Sequence, residues 1–299
     1  MPLVPAPALI ASAFDSGYAL PALNVANLET IQAALRAAEA SGSPVILQIS
    51  PGAIAYAGYD AIRELALGEA SRSVAPVLVH LDHCREPEAV RRALTDGFSS
   101  VMFDGSRLEY DENVRLTREI VDHARPLGVA VEAELGYIGG IEDTTAVEAR
   151  AAVTRPEEAA NFVAATGIDI LAPAMGSLHR MPEDSVQLDI EAVGRLAKMC
   201  GRPLALHGGS GVKRSQLPAL IAAGVTKLNI SSQVSRALAT GIQRSWQDEA
   251  AQLDLRRFMA AGRDAVQRLA QAYMQLCGSA GRAANVAPAA RRDVLDEPE

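Results

Sequence analysis

Three histidines in this chain each stand at the end of an apolar run, where imidazoles distant in sequence could share one metal ion. His83 lies at the end of VLVHLDHC (77–84), His179 closes IDILAPAMGSLH (168–179) and His207 closes RPLALH (202–207). Three neutral imidazoles that leave a further coordination position open suit a catalytic zinc, because structural zinc sites are closed by four protein ligands. Asp82 stands directly before His83 and is a carboxylate able to move protons beside such a metal. Any one of these histidines alone would read as an ordinary strand-end residue. Three in equivalent positions, with an acid beside the first, read as the centre of a metal-dependent enzyme. The other two histidines read differently: His123 falls on a helical pattern as a surface residue, and His80 shares a strand face with Asp82, where it would support the site.

Such residues meet only if the chain gathers the ends of its strands on one face. Strand-like runs occur at 19–25, 44–50, 76–82, 100–105, 129–135, 168–175, 203–208 and 227–231. Between them lie stretches of helical periodicity, among them 28–40 and 109–128. The stretch 156–167 starts with Pro and ends in Gly, the expected asymmetry of a helix. Near-continuous apolar strands are buried on both faces, which implies a parallel sheet covered by helices. Eight alternating pairs predict a single-domain (β/α)8 TIM barrel over 1–280, with a mobile tail over 281–299. An open doubly wound sheet is the other arrangement the alternation allows.

The 299 residues suit one large α/β domain, and 49% hydrophobic against 4% aromatic residues implies an aliphatic core. A net charge of −8 argues against a nucleic-acid partner. The three cysteines are odd in number and widely spaced, which fits a reducing cytoplasm better than a disulfide framework. The N-terminal MPLVPAPALIASAF has no basic segment and is interrupted by prolines, so it does not read as a leader. No apolar run approaches the ~20 residues that span a bilayer, and no membrane association is expected.

Two loops carry further signals. The segment 136–154 is long for a strand-to-helix connection and contains three glycines, the pattern of an active-site lid. Phosphate recognition needs backbone N–H donors and hydroxyls in a glycine-rich concavity. Gly208, Gly209 and Ser210 after the seventh strand, with Asn229, Ile230, Ser231 and Ser232 after the eighth, form a pair of loops suited to it. Barrels recurrently build phosphate sites from these two loops.

Six motifs in order, LDH (81–83), DGS (104–106), EAELG (132–136), GGIED (139–143), HGGSG (207–211) and KLNIS (227–231), resemble the class II ketose-bisphosphate aldolases of the fructose- and tagatose-bisphosphate type. The resemblance extends from ALNVANLE (22–29) to LCGSAGRA (276–283). It implies one divalent metal per subunit, usually zinc, held by His83, His179 and His207, with Glu134 contacting it in an alternative placement; a monovalent cation is a further candidate. It implies that Asp82 protonates the aldehyde oxygen in condensation and takes that proton back in cleavage. It also implies that Glu142, in the lid segment, exchanges the proton at the enediolate carbon. Glu132 and Asp104 would orient the ligands. Asn24 and Ser50 match substrate-facing positions, and Arg256 matches a basic residue that can reach the distal phosphate, sometimes across a subunit boundary. The implied partners are a sugar phosphate that splits into dihydroxyacetone phosphate and an aldehyde, and further copies of the chain in a homodimer or homotetramer.

The chain departs from this pattern at the rim. Arg180 stands where relatives have Gly, MPED (181–184) replaces a Tyr-Lys pair, and Gln233 replaces an acid. An inward Arg180 could pair with an anion through its planar fork. A carboxylated sugar phosphate is therefore an alternative substrate. A catalytically silent binding barrel would have lost a metal histidine or Asp82, and all four are present. A zinc hydrolase barrel is disfavoured because no metal-bridging lysine accompanies the phosphate-type loops.

Overall fold

The apolar runs pair side by side in chain order. Strands β1 (Leu20–Asn24), β2 (Val45–Ile49), β3 (Val77–Cys84), β4 (Ser100–Phe103), β5 (Ala130–Leu135), β6 (Ile170–Pro173), β7 (Leu204–Leu206) and β8 (Val225–Ile230) are all parallel. The sheet closes because Leu20–Leu23 of β1 pair with Lys227–Ile230 of β8, so the open doubly wound sheet is ruled out. This computed structural model describes residues 4–138, 153–179 and 181–285. Among them, helix α1 (Ala6–Asp15) precedes the barrel, and α2 (Leu28–Ser41), α3 (Pro51–Ala57), α4 (Tyr59–Arg72) and α5 (Pro87–Thr95) follow the first three strands. Helices α6 (Tyr110–Ala124), α7 (Pro156–Thr166), α8 (Ile190–Cys200) and α9 (Leu217–Ala222) follow β4 to β7. After β8 come α10 (Ser232–Ser245), α11 (Glu249–Gln252) and α12 (Leu255–Leu276).

Local signals set the helix ends. Asn27 and Thr30 form a reciprocal capping box at the start of α2, and Gly42 ends it in a left-handed conformation. Pro156 opens α7 and Gly167 closes it at φ 71°. The expected helix over 109–128 is α6 followed by a single 3-10 turn at Arg125–Leu127, where Pro126 lacks the N–H that would continue it.

Strand side chains alternate between the lumen and the helix layer. Leu20, Ala22, Ile46, Leu78, Met102, Ala130, Ile170 and Ala205 form one apolar cluster inside the barrel, together with Leu9, Ile10 and Ala13 of α1. The N-terminal helix thus plugs one mouth. Leu23, Leu47, Val79, Val101, Val131, Leu171, Leu206 and Leu228 belong to a second cluster beneath the helices. Beyond α12, Gly281 and Ala283 donate to the carbonyls of Ser41 and Gly42; residues 286–299 of the expected tail lie outside the described residues. Among the described residues no helix is long and apolar enough to cross a membrane.

Candidate active site

The lumen changes character towards the carboxyl ends of the strands. Two residues beyond Leu78 come His80 and then Asp82; beyond Ala130 come Glu132 and Glu134; beyond Ile46 comes Gln48; beyond Ala205 comes His207. Each keeps the inward parity of its apolar predecessor. Lys227 and Asn229 occupy the same face of β8, alternating with the outward Leu228 and Ile230. All of these polar side chains are buried.

His83 is the exception to the parity. As the neighbour of Asp82 it should point into the helix layer. Instead β3 runs on to Cys84 with a register shift against β4 between Leu81 and Cys84, and His83 takes φ 46°, uncommon for any residue but glycine. A bulge of this kind re-aims one side chain, and bulges recur beside active sites. Asp82 and His83 therefore both reach the mouth.

There the three histidines meet. Ring centroids lie 4.4 Å apart for His83 and His207, 5.0 Å for His83 and His179, and 5.9 Å for His179 and His207. Their ligand nitrogens fall within 4.8 Å of one another, and His207 Nδ1 is 2.6 Å from His83 Nε2. His207 Nε2 donates to Glu132 Oε1 at 2.7 Å, which leaves Nδ1 with its lone pair. Burial, reinforced by the charges of His83 and Lys227, holds His207 well below the ordinary histidine range. A neutral ring with its other nitrogen bonded to a carboxylate is the usual condition of a metal-ligating histidine. The donor set therefore fits a divalent metal.

A second donor group shares His83. Its Nδ1 lies 3.6 Å from Glu134 Oε2 and 3.8 Å from Asp104 Oδ2, and these three side chains also bring ligand atoms within 4.8 Å. Asp104 accepts from Arg85 Nε at 2.8 Å and from Ser106 Oγ at 2.6 Å. Burial would raise its carboxyl, but His83, Ser106 and Arg85 outweigh it and hold Asp104 well below the usual carboxylate range. From the sequence, Asp104 reads as an orienting residue; the structure makes it a potential ligand as well. Glu134 accepts from the Ile138 amide at 3.1 Å, and Asn113 of α6 bonds its carbonyl at 3.0 Å.

Asp82 is not a helix cap. It is buried on β3, and Asn24 at the end of β1 donates to its Oδ2 at 3.0 Å while accepting from Gln48 Nε2 at 3.0 Å. Among the described residues Asp82 Oδ1 accepts no hydrogen bond, and His80 Nε2 stands 3.9 Å from it. Burial would raise this carboxyl, but His83, Lys227 and His207, with the bond from Asn24, hold it below its ordinary range. His80 is buried with Nδ1 2.7 Å from Ser100 Oγ, whereas His123 is exposed on α6 against the Glu119 carbonyl.

The glycine turn after β7 packs against two neighbours. Gly208 sits at φ 64°, and a Cβ there would meet the Leu178 carbonyl oxygen at 2.5 Å. A Cβ at Gly209 would lie 2.6 Å from Leu228 Cδ1 and 3.1 Å from the Asn229 carbonyl oxygen. Ser210 accepts from Gln233 Nε2 through its carbonyl at 3.4 Å. Asn229 and Ile230 lie within β8 rather than after it. Asn229 Nδ2 stands 3.1 Å from His207 Nδ1, and the Ile230 side chain is in the outer core. Ser231 follows the strand and Ser232 opens α10, so the glycine turn and a helix N-terminus stand side by side.

Three further candidates are placed less directly. Ser50 caps α3 by accepting from the Ala53 amide. Arg256 is exposed and holds Asp254 through Nε and Nη2, each at 3.0 Å, so within this chain it does not join the cluster. Glu142 and Arg180 lie outside the described residues. A cavity of about 550 Å³ opens beside His83, lined among others by Ile54, Tyr59, Cys84, Arg85, Arg107 and Tyr137. The sequence reading gave no role to Lys227, although a lysine at an inward position of a barrel strand was a visible signal.

Comparison with known proteins agrees with this geometry. The chain resembles the YdjI aldolase of Escherichia coli K12 at 32% identity and a TM-score of 0.83, covering 94% of this chain and 99% of that one. A Coccidioides immitis structure, named provisionally as a fructose-1,6-biphosphate aldolase, matches at 35% identity and a TM-score of 0.82, covering 93% and 97%. The fructose-bisphosphate aldolase of Campylobacter jejuni shares the fold at 24% identity and a TM-score of 0.77, covering 91% and 94%. The family model described as fructose-bisphosphate aldolase class-II matches residues 4–282, and the chain belongs to that family.

Proposed function

We propose that this protein is a zinc-dependent aldolase that reversibly cleaves a ketose phosphate or bisphosphate into dihydroxyacetone phosphate and an aldehyde. The observation that supports this most is the convergence of three imidazoles beside Asp82, a buried carboxylate with one oxygen that accepts no hydrogen bond among the described residues. His83, His179 and His207 would hold the zinc, with Glu134 and Asp104 offering the alternative placement. The ion would supply Lewis acidity at the ketone side of the substrate.

The chain's own residues do the rest. Asp82 takes the proton of the C4 hydroxyl during cleavage and returns it to the aldehyde oxygen during condensation. Asn24 occupies Oδ2 and orients the carboxylate, which directs Oδ1 to the substrate. Glu142 exchanges the proton at the reacting carbon of the ketone fragment. Gly208, Gly209 and Ser210 offer backbone donors to the phosphate, and Ser231 and Ser232 add the N-terminus of α10, where unpaired N–H groups and the helix dipole favour an anion. Asn24 and Ser50 face the substrate. Arg256 serves a neighbouring subunit of a homodimer or homotetramer, and Arg180 replaces the missing basic residue of the rim.

A panel of ketose phosphates, carboxylated ones included, with coupled detection of dihydroxyacetone phosphate tests this reading. Cleavage of at least one member is expected, abolished by a chelator and restored by Zn²⁺. Borohydride added with substrate should not trap the enzyme, because no Schiff-base lysine takes part. Chelator-resistant cleavage, or covalent trapping, would refute the proposal.

A further inference from the structure

Two charged side chains inside the barrel have no part in the proton transfers above. Lys227 on β8 is 1% exposed, and its Nζ lies 2.8 Å from Oε2 of Glu132 on β5. Glu132 is equally buried and accepts from His207 Nε2 through its other oxygen, Oε1, at 2.7 Å. A buried ion pair seldom accounts for itself through stability, since an apolar pair of similar volume is often as good or better. What distinguishes this pair is that it ends on His207.

We infer that Lys227 is a positioning residue that acts through Glu132 to set the ring orientation and tautomer of His207. The inference rests on the metal-centre reading above. Its physical chain is short. The ammonium anchors Oε2, which turns Oε1 towards His207, and Oε1 accepts the Nε2 proton. The lone pair is thereby left on Nδ1, the nitrogen that faces His83 Nε2 at 2.6 Å and has Asn229 Nδ2 at 3.1 Å. His80 cannot take over the anchoring. Its Nε2 is 3.8 Å from Glu132 Oε2, its Nδ1 is engaged with Ser100, and burial, the largest influence on the ring and one that persists without Lys227, disfavours its charged form. Without Lys227 the Glu132 carboxylate keeps its place in the lumen but loses the contact that aims it.

The test is titration of the metal-free full chain with Co²⁺, followed by visible absorption, together with ¹⁵N detection of the histidine tautomers before metal is added. Lys227→Met keeps the stem and removes the charge; Glu132→Gln keeps the shape and removes the anion. Each should weaken Co²⁺ binding by roughly 10–100-fold, the usual effect of losing a residue that orients a ligand. The double variant should be no worse than the weaker single variant, because both break one link. Metal-free Lys227→Met, with the circular dichroism of wild type, should lose the single Nε2–H tautomer of His207. Unchanged Co²⁺ affinity in Lys227→Met overturns the inference, and so do additive losses in the double variant. If Lys227→Met does not fold, unchanged affinity in Glu132→Gln overturns it alone. A wild-type chain that does not bind Co²⁺ instead overturns the metal-centre reading itself.

Discussion

Gly208→Ala probes how two of the candidate ligands come to lie together. Gly208 follows His207 at φ 64°, and its absent Cβ would meet Leu178 at three backbone atoms: oxygen at 2.5 Å, carbonyl carbon at 2.8 Å and nitrogen at 3.1 Å. Leu178 directly precedes His179. At Gly208 the β7 turn therefore meets the loop after β6 backbone to backbone, and no side-chain rearrangement there makes room for a methyl. Alanine in the left-handed region costs roughly 1–2 kcal/mol, and forcing a methyl into a packed contact adds roughly 1–3 kcal/mol. If the structure bears that strain, the loss is about 2–5 kcal/mol. At roughly 2 °C per kcal/mol for a chain of this size, the melting temperature falls by about 4–10 °C. If the His179 loop moves away instead, it must retreat by about 1 Å to restore ordinary contact. Misplacement on that scale can cost ~10²-fold in rate, and metal affinity should fall with it. Thermal unfolding of the metal-free variant and Co²⁺ titration of the same preparation read both routes. A Gly208→Ala variant with wild-type melting temperature and wild-type Co²⁺ affinity would refute the argument that this contact sets the spacing of His179 and His207.

Asp82→Asn should keep the fold and the metal yet lose cleavage by roughly 10²–10⁴-fold in single-turnover assays, the scale of general acid–base catalysis; a loss under tenfold would remove Asp82 from that role. Glu142→Ala should chiefly slow solvent exchange of the ketone fragment's proton, followed by deuterium incorporation, and exchange at the wild-type rate would dismiss the assignment. Arg180→Gly should raise KM for the native substrate, and unchanged kinetics across the substrate panel would show that Arg180 contacts none of them. The three cysteines should resist thiol reagents in the native protein. All are buried, and burial raises Cys84, Cys277 and Cys200, the last to about 11. At pH 8 only about a thousandth of Cys200 is then thiolate, a fraction that grows only as pH climbs towards 11; rapid native labelling at pH 8 would contradict this.

What the sequence determined by itself is the local, periodic part of this protein. Apolar strands alternating with helices implied the barrel, and the period of two put His80 and Asp82 on one face of the third strand. The motif order identified the family that the match over residues 4–282 establishes. Tertiary structure decided what depends on distances between elements. His83 reaches the mouth only because β3 is irregular against β4 and its φ is 46°; strict alternation would have faced it outward. The Lys227–Glu132–His207 chain crosses the lumen between β8, β5 and β7, and its spacing follows from the closure of all eight strands rather than from any one. Asn229, which in the sequence belongs with a phosphate loop, is carried by the inward parity of β8 to His207. Gly208, legible only as a turn residue, proves to be the place where two loops meet with no room for a methyl. Periodicity is set by each residue's immediate backbone neighbours and can be read from one strand. Convergence is set by how the closed barrel stacks its turns, and no segment carries that information alone.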